Sequence, residues 1–319
     1  MQIPKVNQTP KVIQTPKYKK ILLTGVNGQV GHALQLALAN QSGLFAELVC
    51  LDRSQLDLSN PQAIRDVVQA IQPDLIINPA AYTAVDKAES EPDLAYAINA
   101  TAPGVLAEEA AKLGAKFIHF STDYVYAGNK IGVYVEDDAT APLSIYGKSK
   151  LAGEEAVRAV GLPSLIFRTS WVYGAYGKNF LHTILRLAKE REQLRIVADQ
   201  IGAPTSSHSI AQAVVEVLAR WDGEHSGVYH LVNAGRTTWH GFATAIVDAY
   251  AQLQPARDWP MLKAKVANIG PITTADYPTP AARPANSCLD CTKLSSDFSV
   301  QLPDWRDALM AELEALPTN

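Results

Sequence analysis

The sequence predicts an α/β protein built on a doubly wound parallel sheet, with a smaller substrate-binding lobe toward the C-terminus. Three observations predict it. A glycine-rich turn at 25–31 joins an apolar run to an amphipathic segment. Apolar runs then alternate with helical patterns as far as about residue 170. Beyond that point the alternation weakens. Alternating strand and helix signals imply parallel strands joined by right-handed crossovers.

In order, the candidate strands are 20–24, 47–51, 74–78, 115–121 and 163–169, and the candidate helices 29–40, 60–71, 91–112 and 144–159. Residues 1–17 carry proline every sixth position in an imperfect PKVxQT repeat. Little apolar content there predicts a disordered or extended tail, with the fold starting near Lys20. Residues 18–170 are expected to form the dinucleotide-binding domain. Residues 171–319 are expected to be mostly the substrate lobe, with the chain free to cross between the two. Helices near 179–192, 207–220, 239–253 and 303–316 belong to that second half, with a strand-like piece at 227–232.

The turn reads Thr24-Gly25-Val26-Asn27-Gly28-Gln29-Val30-Gly31, a GxxGxxG spacing. Glycines let a backbone approach a pyrophosphate, and the following helix start offers free N–H groups. A second apolar run ends at Asp52, at the distance where an acid meets the adenosine ribose hydroxyls. Asp52 suits the 2′-hydroxyl of NAD, whereas the adjacent Arg53 suits the 2′-phosphate of NADP. The cofactor is therefore NADPH or NADH. Gly25, Asp52, Ala81, Thr122 and Arg168 all fall at predicted strand ends, which predicts that they line one cleft.

Tyr146 and Lys150 lie one helical turn apart, so phenol and ammonium share a face. A neighbouring cation favours the phenolate and is expected to lower the tyrosine pKa. Ser121 and Thr122 end an apolar strand, placing at least one hydroxyl where it can orient a reacting oxygen.

The bounds are those of an ordinary enzyme. The chain has 319 residues, 19% of them charged and 47% hydrophobic, which suffices for a full core. A formal charge of −4 gives no electrostatic case for nucleic acid or an anionic membrane. No apolar run approaches a membrane span, and the N-terminus lacks a secretory pattern. Three cysteines exclude a disulfide framework, and Cys288 and Cys291 are read as reduced thiols. A cytoplasmic location follows as the expectation.

Taken together, the glycine turn and the Thr122, Tyr146, Lys150 trio resemble the extended short-chain dehydrogenases/reductases. Within them the chain resembles the dTDP-4-dehydrorhamnose reductase family, on runs that include 83–89, 121–126, 142–154 and 168–173. The stretches DQIGAPT at 199–205 and YPTPAARP at 277–284 are the most specific of these. The resemblance implies reduction of the 4-keto group of dTDP-4-dehydro-L-rhamnose by NADPH or NADH, in dTDP-rhamnose synthesis. It implies that Tyr146 protonates the 4-oxygen, that Lys150 binds the nicotinamide ribose, and that Thr122 bonds the same oxygen. Gly28, Gln29, Val30, Asp52, Asp57, Leu58, Ala81, Tyr82 and Thr83 are implied to line the cofactor channel, with Gly25 and Gly31 completing the turn. Asp123 and Trp171 are implied sugar-nucleotide contacts, and Asn179 and Arg283 diphosphate contacts.

Some members of this family dimerise through an acid-lined magnesium site with an acid after the glycine turn. Here the turn continues Gly31-His32-Ala33-Leu34, so no metal is expected, and Glu190 and Glu192 read as a solvated helix end. A monomer or homodimer fits. A related 4,6-dehydratase needs a second carboxylate after the threonine, and Tyr124 stands there instead. An epimerase shares the trio but not the YPTPAARP run. The non-enzyme alternative is a regulatory subunit like the beta subunit of methionine adenosyltransferase, which resembles the same family.

Overall fold

The computed structural model describes residues 16–41 and 43–317. The first part of the expected tail, residues 1–15, lies outside the described residues. Lys17 is already anchored, its Nζ donating to the Ala219 carbonyl at 3.1 Å.

Along the chain run β1 (Tyr18–Thr24), α1 (Gln29–Ala39), β2 (Phe45–Leu51), α2 (Pro61–Ile71), β3 (Leu75–Asn78), α3 (Val85–Ala88), α4 (Pro92–Tyr96), α5 (Ala102–Lys112), β4 (Lys116–Thr122), α6 (Ile145–Val160) and β5 (Ser164–Thr169). There follow β6 (Val172–Tyr173), α7 (Phe180–Glu190), β7 (Leu194–Val197), β8 (Ile201–Gly202), β9 (Thr205–Ser206), α8 (Ser207–Arg220) and β10 (Gly227–His230). Last come β11 (Thr237–Thr238), α9 (Trp239–Arg257), β12 (Ile269–Ile272), β13 (Asn286–Ser287), α10 (Thr292–Phe298) and α11 (Trp305–Glu314).

The central sheet has the order β10-β5-β4-β3-β1-β2 and is parallel at every pairing. Both faces are covered, which is why its strands read as near-continuous apolar runs. Ile21 and Leu23 of β1 enter a core shared with α1, α8 and α10, while Leu22 enters one shared with α2, α5 and α6. The strand order reverses at β1, which has β2 on one side and β3 on the other. That reversal opens a crevice beyond the carboxyl ends of β1 and β3, where open α/β sheets receive ligands.

Two features differ from the sequence reading. The helix expected over 91–112 is broken by a π-helical turn at Ala97–Thr101. Pro103 explains the break: it has no N–H to offer the Asn99 carbonyl, and its ring crowds that carbonyl. The piece at 227–232, expected in the second lobe, instead supplies the sixth strand of the main sheet, pairing with β5 from Gly227↔Leu165 to His230↔Arg168.

After β5 the chain leaves the sheet, returns with α8 and β10, leaves with α9, and returns with α10 before ending in α11. The second lobe has its own core, in which Leu181, Ile184, Phe242, Ile246, Trp305 and Leu309 join α7, α9 and α11.

Candidate active site

Each glycine of the turn has its own reason to lack a side chain. Gly25 sits at φ +61°, and a Cβ there would lie 2.8 Å from the Ala80 Cα. Gly28 is the N-cap of α1 and has no side chain to bond the first-turn N–H groups, so those donors stay available to an anion. A Cβ on Gly31 would fall 2.2 Å from the Gly25 carbonyl oxygen. Such a cradle fits a pyrophosphate. Gly31→Ala is expected to open the turn, weaken dinucleotide binding at least tenfold in a fluorescence titration, and destabilise the fold by about 1–3 kcal/mol.

The cleft above this turn has a volume of about 800 Å3. Thirteen positions were expected to hold the cofactor, and all of them border it: Gly25, Gly28, Gln29, Val30, Gly31, Asp52, Asp57, Leu58, Ala81, Tyr82, Thr83, Tyr146 and Lys150. Asp52 is fixed by Asn27 Nδ2 at 3.1 Å, Ser54 Oγ at 2.6 Å and the Ser54 amide at 2.8 Å. The Ser54 donors hold its carboxyl below the usual range. Arg53 borders the cleft beside it.

Sequence reasoning missed Asn99. Its side chain accepts from the Tyr82 amide at 2.8 Å and donates to the Tyr82 carbonyl at 3.0 Å and to Ser149 Oγ at 3.1 Å. The π-helical turn aims this amide at the loop after β3, clamping Tyr82 and α6 together. Pro103 within a helical pattern was the available signal.

At the other end of the cleft, α6 starts at Ser144, whose Oγ accepts from the Gly147 amide at 3.1 Å. Gly147 lets the helix press on the loop after β4, since a Cβ there would be 2.2 Å from the Tyr124 carbonyl oxygen. Tyr146 therefore meets the edge of Tyr124, with centroids 5.4 Å apart. Of the two strand-end hydroxyls, Ser121 donates to Glu154 at 2.5 Å. Thr122 donates to Asp123 at 3.0 Å, and Ser287 donates to the other oxygen of that carboxyl. Burial pushes Asp123 up to about 6. Thr169 Oγ1, level with Thr122 on the next strand, borders the cleft, is buried, and has no hydrogen-bond partner among the described residues. Such an orphan suits a polar ligand atom.

The expected acidification of Tyr146 is corrected by the structure. Burial pushes its phenol up to about 12, with the Thr122 hydroxyl acting in the opposite direction. Lys150 turns its ammonium to the Phe120 carbonyl at 2.5 Å and to His119 Nε2 at 3.3 Å. Desolvation thus outweighs a cation that is engaged elsewhere. Burial also pushes Lys150 down to about 8, which leaves it mainly charged at neutral pH.

Trp171 and Asn179 border the cleft. Trp171 holds a left-handed backbone, φ +49°, and stacks on Trp239 at 3.6 Å. The 199–205 run builds this seat. Gly202 lies under the indole, where a Cβ would be 2.6 Å from the ring. Gln200 accepts from Trp239 Nε1 at 3.1 Å, and Asp199 accepts from Thr274. Asn179 caps α7 through the His182 amide and donates to Gln29 Oε1 at 2.9 Å.

Two other expected residues lie outside the cleft lining. Arg283 is not among the residues lining the cleft; its Nη2 pairs with Asp86 at 2.8 Å, fastening the 277–284 run to α3. Arg168 is also absent from the lining. It points away from the cleft into a buried fork with Glu154, Nε to Oε1 at 2.9 Å and Nη2 to Oε2 at 2.6 Å. Among the described residues no three His, Cys, Asp or Glu side chains gather as a metal group, and Glu190 pairs with Arg186. Burial pushes the Cys288 and Cys291 thiols up, so both stay protonated.

A dinucleotide turn at the sheet reversal, facing a tyrosine and a lysine on one helix, defines an extended short-chain dehydrogenase/reductase. The chain matches the RmlD substrate binding domain family over residues 19–317. It is 48% identical over 296 residues to a dTDP-4-dehydrorhamnose reductase of Burkholderia thailandensis, covering 91% of this chain and 96% of that one. It is 44% identical over 300 residues to the Escherichia coli K12 enzyme of the same name, covering 93% and 98%. The crystal structure of dTDP-4-dehydrorhamnose reductase from Bacillus anthracis in complex with NADP superposes with a TM-score of 0.84 at 38% identity, covering 93% of this chain and 99% of that one. The chain belongs to the dTDP-4-dehydrorhamnose reductase family.

Proposed function

We propose that this enzyme reduces the 4-keto group of dTDP-4-dehydro-L-rhamnose to give dTDP-L-rhamnose, with NADPH or NADH as reductant. The observation that carries the reading is the placement of Thr122, Tyr146 and Lys150 on the same cleft as the glycine turn. A nicotinamide held in this cleft would supply the hydride that the sugar carbon takes up. Tyr146 supplies the proton. In this direction the phenol must start protonated, and a pKa of about 12 keeps it so at neutral pH. The sugar alkoxide is more basic than a phenolate, so the transfer runs downhill. Lys150 stabilises the phenolate that results and bonds the nicotinamide ribose. Thr122 carries one hydroxyl proton; rotation about Cβ–Oγ turns it from Asp123 to the 4-oxygen. Gly25, Gly28, Gln29, Val30 and Gly31 hold the pyrophosphate, Asp52, Asp57 and Leu58 the adenosine end, and Ala81, Tyr82 and Thr83 the central span.

On the substrate side, Asp123, Trp171 and Asn179 contact the sugar nucleotide, and Arg283 acts on it through the loop that Asp86 fixes. The enzyme works in the cytoplasm as a monomer or homodimer, without a metal or a nucleic-acid partner. Incubation with dTDP-4-dehydro-L-rhamnose tests the reading by absorbance at the reduced-nicotinamide band. One mole of cofactor is expected to be consumed per mole of dTDP-L-rhamnose. Sugar conversion without net cofactor loss would indicate an epimerase. No conversion, with capture of a synthetase partner, would indicate a regulatory subunit.

A further inference from the structure

Behind Lys150 lies a line of buried polar groups that the reaction does not consume. His119 is fully enclosed in β4, as are Asn78 in β3 and Thr24 at the end of β1. Lys150 Nζ is 3.3 Å from His119 Nε2, His119 Nδ1 is 3.3 Å from Asn78 Nδ2, and Thr24 Oγ1 is 2.6 Å from Asn78 Oδ1. The line joins the glycine turn to the lysine through three adjacent strands.

We propose that His119 is a positioning residue for Lys150: as a neutral Nδ1–H imidazole it accepts one ammonium N–H through Nε2, which aims the remaining donor into the cleft. This rests on the role of Lys150 in the reaction above. An ammonium has three N–H donors and no acceptor. The Phe120 carbonyl takes one at 2.5 Å, and His119 takes the second. The third is left for the ribose and the phenolate. With only one of the two fixed, the ammonium swings about its last carbon bond. Imidazole suits the post because burial, with the charge of Lys150 beside it, holds it well below its usual pKa, so it never competes as a cation.

The tautomer follows from the same bonds. If Nε2 accepts, Nδ1 carries the proton and needs an acceptor. The half-turn of Asn78 that exchanges amide oxygen and nitrogen provides one, and its NH2 then donates to Thr24 Oγ1. The opposite arrangement, with Nε2–H, would face an N–H of the ammonium with another N–H.

Two measurements test this. Nitrogen-15 spectra of histidine-labelled full chain at pH 7, with the His119 signal assigned by its loss in His119→Gln, should show protonated Nδ1 and bare Nε2. A protonated Nε2 would overturn the proposal without any reference to turnover. In kinetics, His119→Leu removes the acceptor and is expected to lower kcat roughly 10- to 100-fold and to raise KM for the dinucleotide. His119→Gln retains an acceptor near the Nε2 position and should recover kcat to within about threefold of the parent. Equal losses in both variants would overturn the proposal. Failure of the parent to turn over the sugar nucleotide would instead count against the function itself.

Discussion

Tyr146→Phe lowers kcat by about 10²- to 10⁴-fold, the range that a positioned general acid contributes, and leaves dinucleotide affinity within a factor of about two. The variant removes one oxygen from a ring already held by Tyr124 and by the start of α6, so the cleft keeps its shape. Cofactor contacts along the turn and on Asp52 are untouched. Without the phenol the alkoxide must take its proton from water, and Thr122 alone cannot supply one, because an aliphatic hydroxyl is a weaker acid than a phenol. A kcat loss with unchanged KM for the cofactor marks an interaction made in the transition state. Fluorescence titration with the reduced cofactor, paired with steady-state rates, separates the two outcomes. Equal loss of affinity and rate would mean that Tyr146 supports the cleft and does not act in the chemistry.

Arg168→Met is expected to cost about 3–5 kcal/mol of stability, since it leaves a buried carboxylate without its counter-charge. The guanidinium and Glu154 are 3% and 0% exposed, so water cannot replace the lost partner. Tyr126 adds a third contact, accepting from Nη1 at 2.6 Å. Chemical denaturation should show a fall in midpoint at constant slope. The double variant Arg168→Met with Glu154→Leu should recover much of the loss, because a well-packed apolar pair avoids desolvating two charges. A loss below about 1 kcal/mol in the single variant would place the pair among weak surface bridges, contrary to its burial.

The first five strands of the sheet were legible because burial on both faces makes each a run of apolar residues, bounded by turns. Helices α1, α2 and α6 were legible from their period. The sixth strand was not, because Gly227 to His230 reads alike whether it joins the main sheet or a separate lobe; only the 62-residue return to β5 decides. The strand-end rule collected Gly25, Asp52, Ala81 and Thr122 in one cleft but failed for Arg168. A strand alternates its faces, and Arg168 lies on the face where it pairs with Glu154 of α6, outside the cleft lining. Arg283 pairs with Asp86, 197 residues away in the chain, so the sequence could not show that this guanidinium also fastens the 277–284 run. The Tyr/Lys spacing put both residues on the border of one cleft, yet desolvation, which no spacing reveals, reversed the expected shift of the phenol.

In the proposed reaction a ketone is reduced between the dinucleotide held by the glycine turn and the Tyr146 phenol. The decisive experiment follows label from cofactor carrying deuterium at both C4 positions of the reduced nicotinamide, read by mass and NMR of the sugar nucleotide. One deuterium is expected at C4 of dTDP-L-rhamnose per cofactor oxidised. Product that forms without label at C4, or cofactor that is oxidised without labelled sugar, would rule out hydride transfer at this site.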